Sequence, residues 1–217
     1  DVSQVRPCSA PTGHATIAVE VAGGENLIIV APGANSQLTP ADVEVPVVQE
    51  AAVVLAQLEI PLDTVRAAAG AATGLVVLNP APPQPLPPDL LAHVDVLVPN
   101  ESELARLAGH DPAQRSLAEN VALARLVAPS CDVVVTLGRR GALVVPRTGP
   151  AWLVTPPPVS AIDTTGAGDC FCGALCVALA EGSDLVAATR LAVAAAALST
   201  TGAGARGGLP DRAAVAA

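Results

Sequence analysis

Two aspartates, Asp163 and Asp169, bracket Thr164-Thr165-Gly166-Ala167-Gly168, and Cys170-Phe171-Cys172-Gly173-Ala174-Leu175 follows. The apolar residues after the second aspartate keep helical spacing through Val177, Leu179 and Ala180. This is the composition of an anion hole. Gly166 and Gly168 carry no Cβ, so the backbone there can take unusual dihedrals and approach a ligand closely. The backbone N–H groups of a helix start face such a ligand with the positive end of the helix dipole behind them, an arrangement that suits phosphate. Asp169, at that mouth, is placed to take a proton from an attacking hydroxyl. Taken without the rest of the block, Gly-x-Gly-Asp is equally a strand-to-helix turn with aspartate as the helix cap.

The elements that must carry this loop follow from the pattern of the chain. His14 to Val21 reads as a strand, Gly23-Gly24-Glu25-Asn26 as a turn and Leu27 to Val30 as the returning strand. Pro32-Gly33-Ala34-Asn35 breaks the pair, and Thr39 followed by Pro40 starts a helix. Strands are then expected at Ala52 to Leu58, Leu75 to Leu78, Val94 to Val98, Val133 to Leu137 and Ala142 to Val145, with a short edge piece at Trp152 to Thr155. Helices are expected at Leu62 to Ala72, Pro87 to His93, Glu101 to Ala108, Ala113 to Val127, about Gly168 to Glu181, and Asp184 to Thr200. Such alternation predicts an α/β fold of three layers, a mostly parallel sheet with helices on both faces. Residues 1–35 are expected to form a unit built on the β-hairpin and residues 36–217 the α/β domain.

Ligands of these sheets bind at the carboxyl ends of the strands. Asn79-Pro80-Ala81-Pro82, Pro99-Asn100-Glu101-Ser102-Glu103 and Thr136-Leu137-Gly138-Arg139-Arg140-Gly141 each end a strand with polar or glycine residues. They could share one cleft with the glycine loop, although Asn-Pro and Leu-Gly are also ordinary turn formers.

At 217 residues the chain can bury one substantial core, and with Trp152 and Phe171 its only aromatic residues that core must be small-residue packing. A formal charge of −9 without a basic stripe argues against a nucleic-acid partner. No run approaches the roughly 18 apolar residues of a membrane span. Cys8, Cys131, Cys170, Cys172 and Cys176 do not have the spacing of a disulfide framework or a zinc site, which points to a reduced, cytoplasmic setting. His14, His93 and His110 are scattered and read as structural or solvated. The first residue is Asp1, no methionine is present, and a fragment or processed product is the expectation.

The block from Asp163 to Asp169, with Phe171 and Gly173-Ala174 beyond it, resembles the second signature of the ribokinase-like (PfkB) family of carbohydrate kinases. Pro11-Thr12-Gly13, Gly33-Ala34-Asn35, Gln57-Leu58-Glu59, the strand ends above and Gly202-Ala203-Gly204-Ala205 occur in the order found in that family, so the resemblance covers essentially the whole chain. It implies transfer of the γ-phosphoryl group of ATP to a sugar hydroxyl, ribose giving ribose 5-phosphate, with Mg²⁺ and an activating K⁺. It implies Asp169 as catalytic base and the amides of Gly166, Ala167 and Gly168 as the anion hole. Asn100 and Glu103 would lie near the nucleotide phosphates and the Mg²⁺ water shell, and Thr136, Gly138, Gly141 and Val193 along the nucleotide. Asp163, Thr165, Ser199, Gly202, Gly204 and Gly208 would hold the monovalent cation, in good part through backbone carbonyls. It implies that residues 1–35 are a partial β lid serving a homodimer and residues 36–217 the nucleotide-binding and catalytic domain, with Glu59 touching the sugar from the lid side of the cleft.

The sequence departs from the family pattern at several points. The strand with a sugar-binding aspartate and the Gly-Gly-x-x-x-Asn segment that open family members are not in the sequence, an expected loss of about a third of the fold that would expose an apolar sheet edge. Val193 replaces a polar residue near adenine, and Arg206 with Gly207-Gly208 replaces a Pro-Ser pair near the cation. Two other readings follow, a non-catalytic nucleotide-binding remnant and a family kinase for another sugar or a nucleoside. A dinucleotide-dependent dehydrogenase is disfavoured, because the glycine loop comes late in the chain and lacks Gly-x-Gly-x-x-Gly spacing.

Overall fold

The computed structural model describes residues 2–19 and 26–216. β1 (His14–Val19) and β2 (Asn26–Ala31) form a two-stranded antiparallel sheet, with His14 opposite Ala31 and Val19 opposite Asn26. Residues 20–25, which include the expected end of the first strand and most of the turn, lie outside the described residues. The chain then runs through α1 (Pro40–Val43), α2 (Pro46–Gln49), β3 (Val53–Ala56), α3 (Leu62–Ala71), β4 (Leu75–Leu78), α4 (Pro88–Leu91) and β5 (Val96–Leu97). There follow α5 (Glu101–Leu107), α6 (Leu117–Val127), β6 (Asp132–Thr136), β7 (Ala142–Val145) and β8 (Trp152–Val154). The long helices α7 (Ala167–Ala180) and α8 (Leu185–Ser199) precede two short ones, α9 (Gly204–Gly207) and α10 (Arg212–Ala216).

Strands β3 to β8 form one sheet in chain order. β3, β4, β5 and β6 pair in parallel, each neighbour reached through helical connections. β7 and β8 continue the sheet antiparallel. The change of sense has a local cause: only Leu137 to Gly141 separates β6 from β7, and a parallel return needs a crossover of a dozen or more residues.

Alternation along the strands divides the interior into two cores. Val76, Leu78, Val133, Val135, Leu143 and Val145 face one side, where Val65 of α3, Leu90 of α4, Leu104 of α5 and Ala124 of α6 cover them. Val77, Val134, Ala142 and Val144 face the other side, against Phe171, Cys172 and Leu175 of α7 and Ala188 and Ala192 of α8. A strand covered on both faces reads as a continuous apolar run, which is how these strands appear in the sequence.

Several elements are shorter than expected, α6 and β5 among them. α6 begins at Leu117 rather than Ala113, because Ser116 and Glu119 make a reciprocal capping box that fixes the start. β5 is confined to Val96–Leu97, because the Val94 N–H turns back to the Leu91 carbonyl and the Asp95 carboxylate accepts the Val76 N–H at 2.8 Å.

Candidate active site

The parallel strands deliver their carboxyl ends to one edge of the sheet, and hydrogen bonds lace those ends together. The Asn79 N–H donates to the Ala56 carbonyl at 2.9 Å, the Asn79 side-chain amide to the Val98 carbonyl at 2.8 Å, and the Thr136 N–H to the Pro99 carbonyl at 2.9 Å. Asn79 thus ties β4 to both neighbours, the turn-forming alternative for that strand end.

At the next strand end, Asn100 caps α5. Its Oδ1 accepts the Glu103 N–H at 2.8 Å, and a Glu103 carboxylate oxygen accepts the Asn100 N–H at 2.7 Å. Burial pushes the Glu103 carboxyl above its ordinary pKa, against the opposing hydrogen bond from Asn100. A carboxyl raised in the folded state lends stability below its unfolded pKa and loses it as pH rises through the folded value. Wild type should therefore lose stability relative to Glu103→Gln as pH rises through the carboxylate range. Urea midpoints of the two proteins at several pH values check this, and parallel curves would refute it.

The glycine loop is built around two residues. Gly166 sits at φ 76°, in the left-handed region, and caps α7. Asp163 braces the loop from both sides: Oδ1 accepts the Thr165 N–H at 2.9 Å and Oδ2 the Gly204 N–H at 2.8 Å. The Thr165 N–H and hydroxyl and the Gly204 N–H hold its carboxyl below the ordinary range. Asp163 is thereby fixed as a brace rather than a base.

The amides of the expected anion hole divide differently from the sequence reading. The Ala167 N–H turns back to the Thr164 carbonyl at 3.2 Å, closing the turn. Among the described residues, the N–H groups of Gly166, Gly168 and Asp169 have no protein acceptor, so Asp169 takes the place of Ala167 in the set of free donors. Gly168 is helical rather than left-handed, and a Cβ there would meet nothing within 4 Å. Its openness therefore serves space outside the protein rather than backbone conformation. Asp169, in the first turn of α7, is exposed and makes no side-chain hydrogen bond among the described residues.

Beside this helix start lies a cavity of about 660 Å³, within the size range of small-molecule sites. Thr136, Gly138, Gly141, Gly168 and Val193 all line it, and Phe171, Ala196 and Ala197 give it an apolar floor. Its outer wall is Thr155 to Val159, with Arg139 and Arg140 at the turn after β6. Asn100, Glu103, Asp169 and Glu59 are not in the lining. The charges of Asp169 and Glu103 add to the burial that raises the Cys172 thiol on α7. Glu59 is exposed and follows β3 of the six-stranded sheet.

The expected cation residues form a backbone cradle. The Ile162 and Asp163 N–H groups donate to the Thr200 carbonyl at 2.7 and 3.1 Å. Gly202 and Gly208 pack so closely that a Cβ on Gly208 would lie 2.1 Å from the Ser199 carbonyl oxygen. The Ser199 hydroxyl is engaged with the Ala196 carbonyl at 2.8 Å, so that residue offers its backbone. Among the described residues no cluster of three or more His, Cys, Asp or Glu could cage a metal. The described cysteines are free thiols, and burial first of all raises Cys131 and Cys172 to about 12 and Cys176 to about 11. Among the described residues no helix is long and apolar enough to cross a membrane.

Residues 1–212 match the pfkB family carbohydrate kinase profile. The chain is 37% identical to the ribokinase of Bacillus subtilis over 207 residues, 93% of this chain and 67% of that protein. The crystal structure of Thermotoga maritima ribokinase superposes with a TM-score of 0.84 at 34% identity, covering 96% of this chain and 70% of that one. The structure of Arabidopsis thaliana ribokinase complexed with ribose and ATP superposes with a TM-score of 0.82 at 32% identity, covering 96% and 69%. The chain thus spans about two thirds of the length of these relatives. A match over nearly every residue, in both sequence and fold, together with the glycine loop and its aspartates, makes this chain a member of the pfkB family of carbohydrate kinases.

Proposed function

We propose that the chain is the catalytic and nucleotide-binding portion of an ATP-dependent ribokinase, moving the γ-phosphoryl group of ATP onto a hydroxyl of ribose to give ribose 5-phosphate and ADP. The observation that carries this reading is the meeting of three free N–H donors and the unengaged Asp169 carboxylate at the rim of a nucleotide-sized apolar cavity. The Arabidopsis relative, solved with ribose and ATP, supports the same pair of substrates.

In this reading the adenine and its ribose occupy the cavity against Val193 and the Gly138–Gly141 turn, and the apolar floor makes the base contact one of packing. The phosphates run towards Gly168. Asp169 accepts the proton of the sugar hydroxyl as its oxygen bonds to the γ-phosphorus and the bond to the bridging oxygen of ADP breaks. The free N–H groups of Gly166, Gly168 and Asp169 face the charge that builds on the transferring group. Mg²⁺, when bound, neutralises the phosphate oxygens; Asn100 and Glu103 would hold it, and one carboxylate without a cage suits an ion that keeps its waters. Asp163, Thr165, Ser199, Gly202, Gly204 and Gly208 would hold K⁺, with the Ser199 carbonyl oxygen, packed against Gly208, among its ligands. Glu59, at the end of β3, is proposed to touch the sugar.

Free thiols support a reducing, cytoplasmic setting. Exposed Ile29 and Val30 on β2 support a homodimer through the hairpin, which sedimentation of the protein would read as twice the chain mass. The decisive assay is ADP release with Mg²⁺-ATP and D-ribose, in K⁺ and in Na⁺ at equal ionic strength. Ribose-dependent release, faster in K⁺, is expected. Binding of ATP without release on any sugar would leave a nucleotide-binding remnant, and equal rates in the two salts would refute the cation site.

A further inference from the structure

A polar chain runs from α6 through α5 to the turn after β6, and the proposed transfer uses none of its members. Asn120 of α6, fully buried, donates through Nδ2 to Glu101 Oε1 at 2.9 Å. Glu101 Oε2 lies 2.5 Å from Arg140 Nη2, with the two side chains only 21% and 32% exposed. That contact is close but poorly directed, since Arg140 Nη2 makes no hydrogen bond of good angle. It therefore acts as a charge pair, while the link to Asn120 is a true hydrogen bond. Burial pushes the Glu101 carboxyl up, yet the Arg140 guanidinium beside it and the hydrogen bond from Asn120 outweigh burial and hold the group below its ordinary value. Glu101 is thus the ionised centre of the chain.

A half-buried ion pair is weak grounds for stability, because apolar residues of equal size often replace one without loss. Its location says more. Glu101 directly follows Asn100 and shares the first turn of α5 with Glu103. Arg140 ends the Gly138–Arg140 turn and lines the large cavity. The pair therefore clamps the turn after β6 to the cap after β5, the two strand ends that would hold the two halves of a nucleotide. Arg139 offers the contrast: it lines the same cavity but makes no ion pair among the described residues. With its charge met by Glu101, Arg140 is available for placing the wall rather than for holding phosphate.

We infer that Glu101 and Arg140, anchored by Asn120, are positioning residues that set the nucleotide wall at Gly138–Gly141 against the Asn100–Glu103 cap, and so govern affinity for ATP without taking part in the transfer. The inference rests on the nucleotide reading above. Its signature is a change in ATP binding that the chemical step and the sugar do not share.

The test is calorimetric titration of Mg²⁺-ATP into wild type, Glu101→Gln, Arg140→Met and the double variant, with turnover kinetics and melting temperature alongside. Each single variant should weaken ATP roughly tenfold, the scale of one lost charged contact. The double variant should be no weaker than either single, because both break one link. The ribose KM, and kcat at saturating ATP, should stay within about twofold. Arg140→Lys keeps the charge but not the reach of the guanidinium, and should recover part of the affinity. ATP affinity unchanged in the singles, or losses that add in the double, would overturn the inference while the nucleotide reading stands. Should Glu101→Gln fail to fold, Arg140→Lys and Arg140→Met decide it alone, equal wild-type affinity in both being the refuting result. Failure of wild type itself to bind ATP would remove the nucleotide reading and this inference with it.

Discussion

Asp169→Asn should lower sugar-dependent ADP release by about two orders of magnitude or more, while Mg²⁺-ATP affinity stays within about twofold. The carboxylate stands in the first turn of α7. It is exposed and makes no side-chain hydrogen bond among the described residues, so nothing in the fold depends on its charge. Asparagine keeps the size of the side chain and removes only the capacity to accept a proton. The loss should therefore fall on kcat, with ATP affinity and melting temperature near wild type. A variant with wild-type turnover would end the assignment of Asp169 as base. A variant that lost ATP affinity instead would make it a binding residue.

Gly141→Ala should be among the most destabilising single changes in the chain. Gly141 has φ 92°, and a Cβ would lie 1.9 Å from the Val154 carbonyl oxygen of β8. An atom cannot be accommodated there without moving the backbone of β8, and the left-handed dihedral adds its own strain. A cost of about 3 kcal/mol or more is expected, which at this chain length lowers the melting temperature by roughly 10 °C. Gly138→Ala provides the control. That residue also has positive φ, at 56°, but a Cβ there meets nothing within 4 Å. It should cost only about 1 kcal/mol, the dihedral penalty alone. Both glycines line the cavity, so a difference in melting temperature separates packing against β8 from any shared role at the nucleotide. Equal losses in the two variants would refute the contact with Val154.

The layered architecture was legible because the strands are apolar runs bounded by turn residues and α7 and α8 are long enough for their periodicity to show. The helix expected from Gly168 to Glu181 begins one residue earlier and ends one residue earlier, which is fraying-scale disagreement. Local signals can also be missed: Ser116 with Glu119 is a capping box visible in the sequence, and reading it would have moved the start of α6 to Leu117. Other features depend on geometry that residue types do not carry. Pro156-Pro157-Pro158-Val159 has no periodicity, yet with Thr155 it walls the cavity. The inward turn of the Ala167 N–H follows from the left-handed Gly166 before it, and only the folded loop shows which amides remain free.

The agreement of strand order with chain order has a consequence for the order of assembly during synthesis. From β3 to β8, each strand that leaves the ribosome finds its neighbour already made, so the sheet can grow by addition at one edge without waiting for distant sequence. The glycine loop cannot be completed in this way. Its brace joins Asp163 to Gly204, 41 residues further on, and Asp163 also leans on the Thr200 carbonyl. A nascent chain would therefore hold strands β3 to β8 while the loop was still unbraced, and competence to grip a phosphate would arrive only once Thr200 and Gly204 had been made.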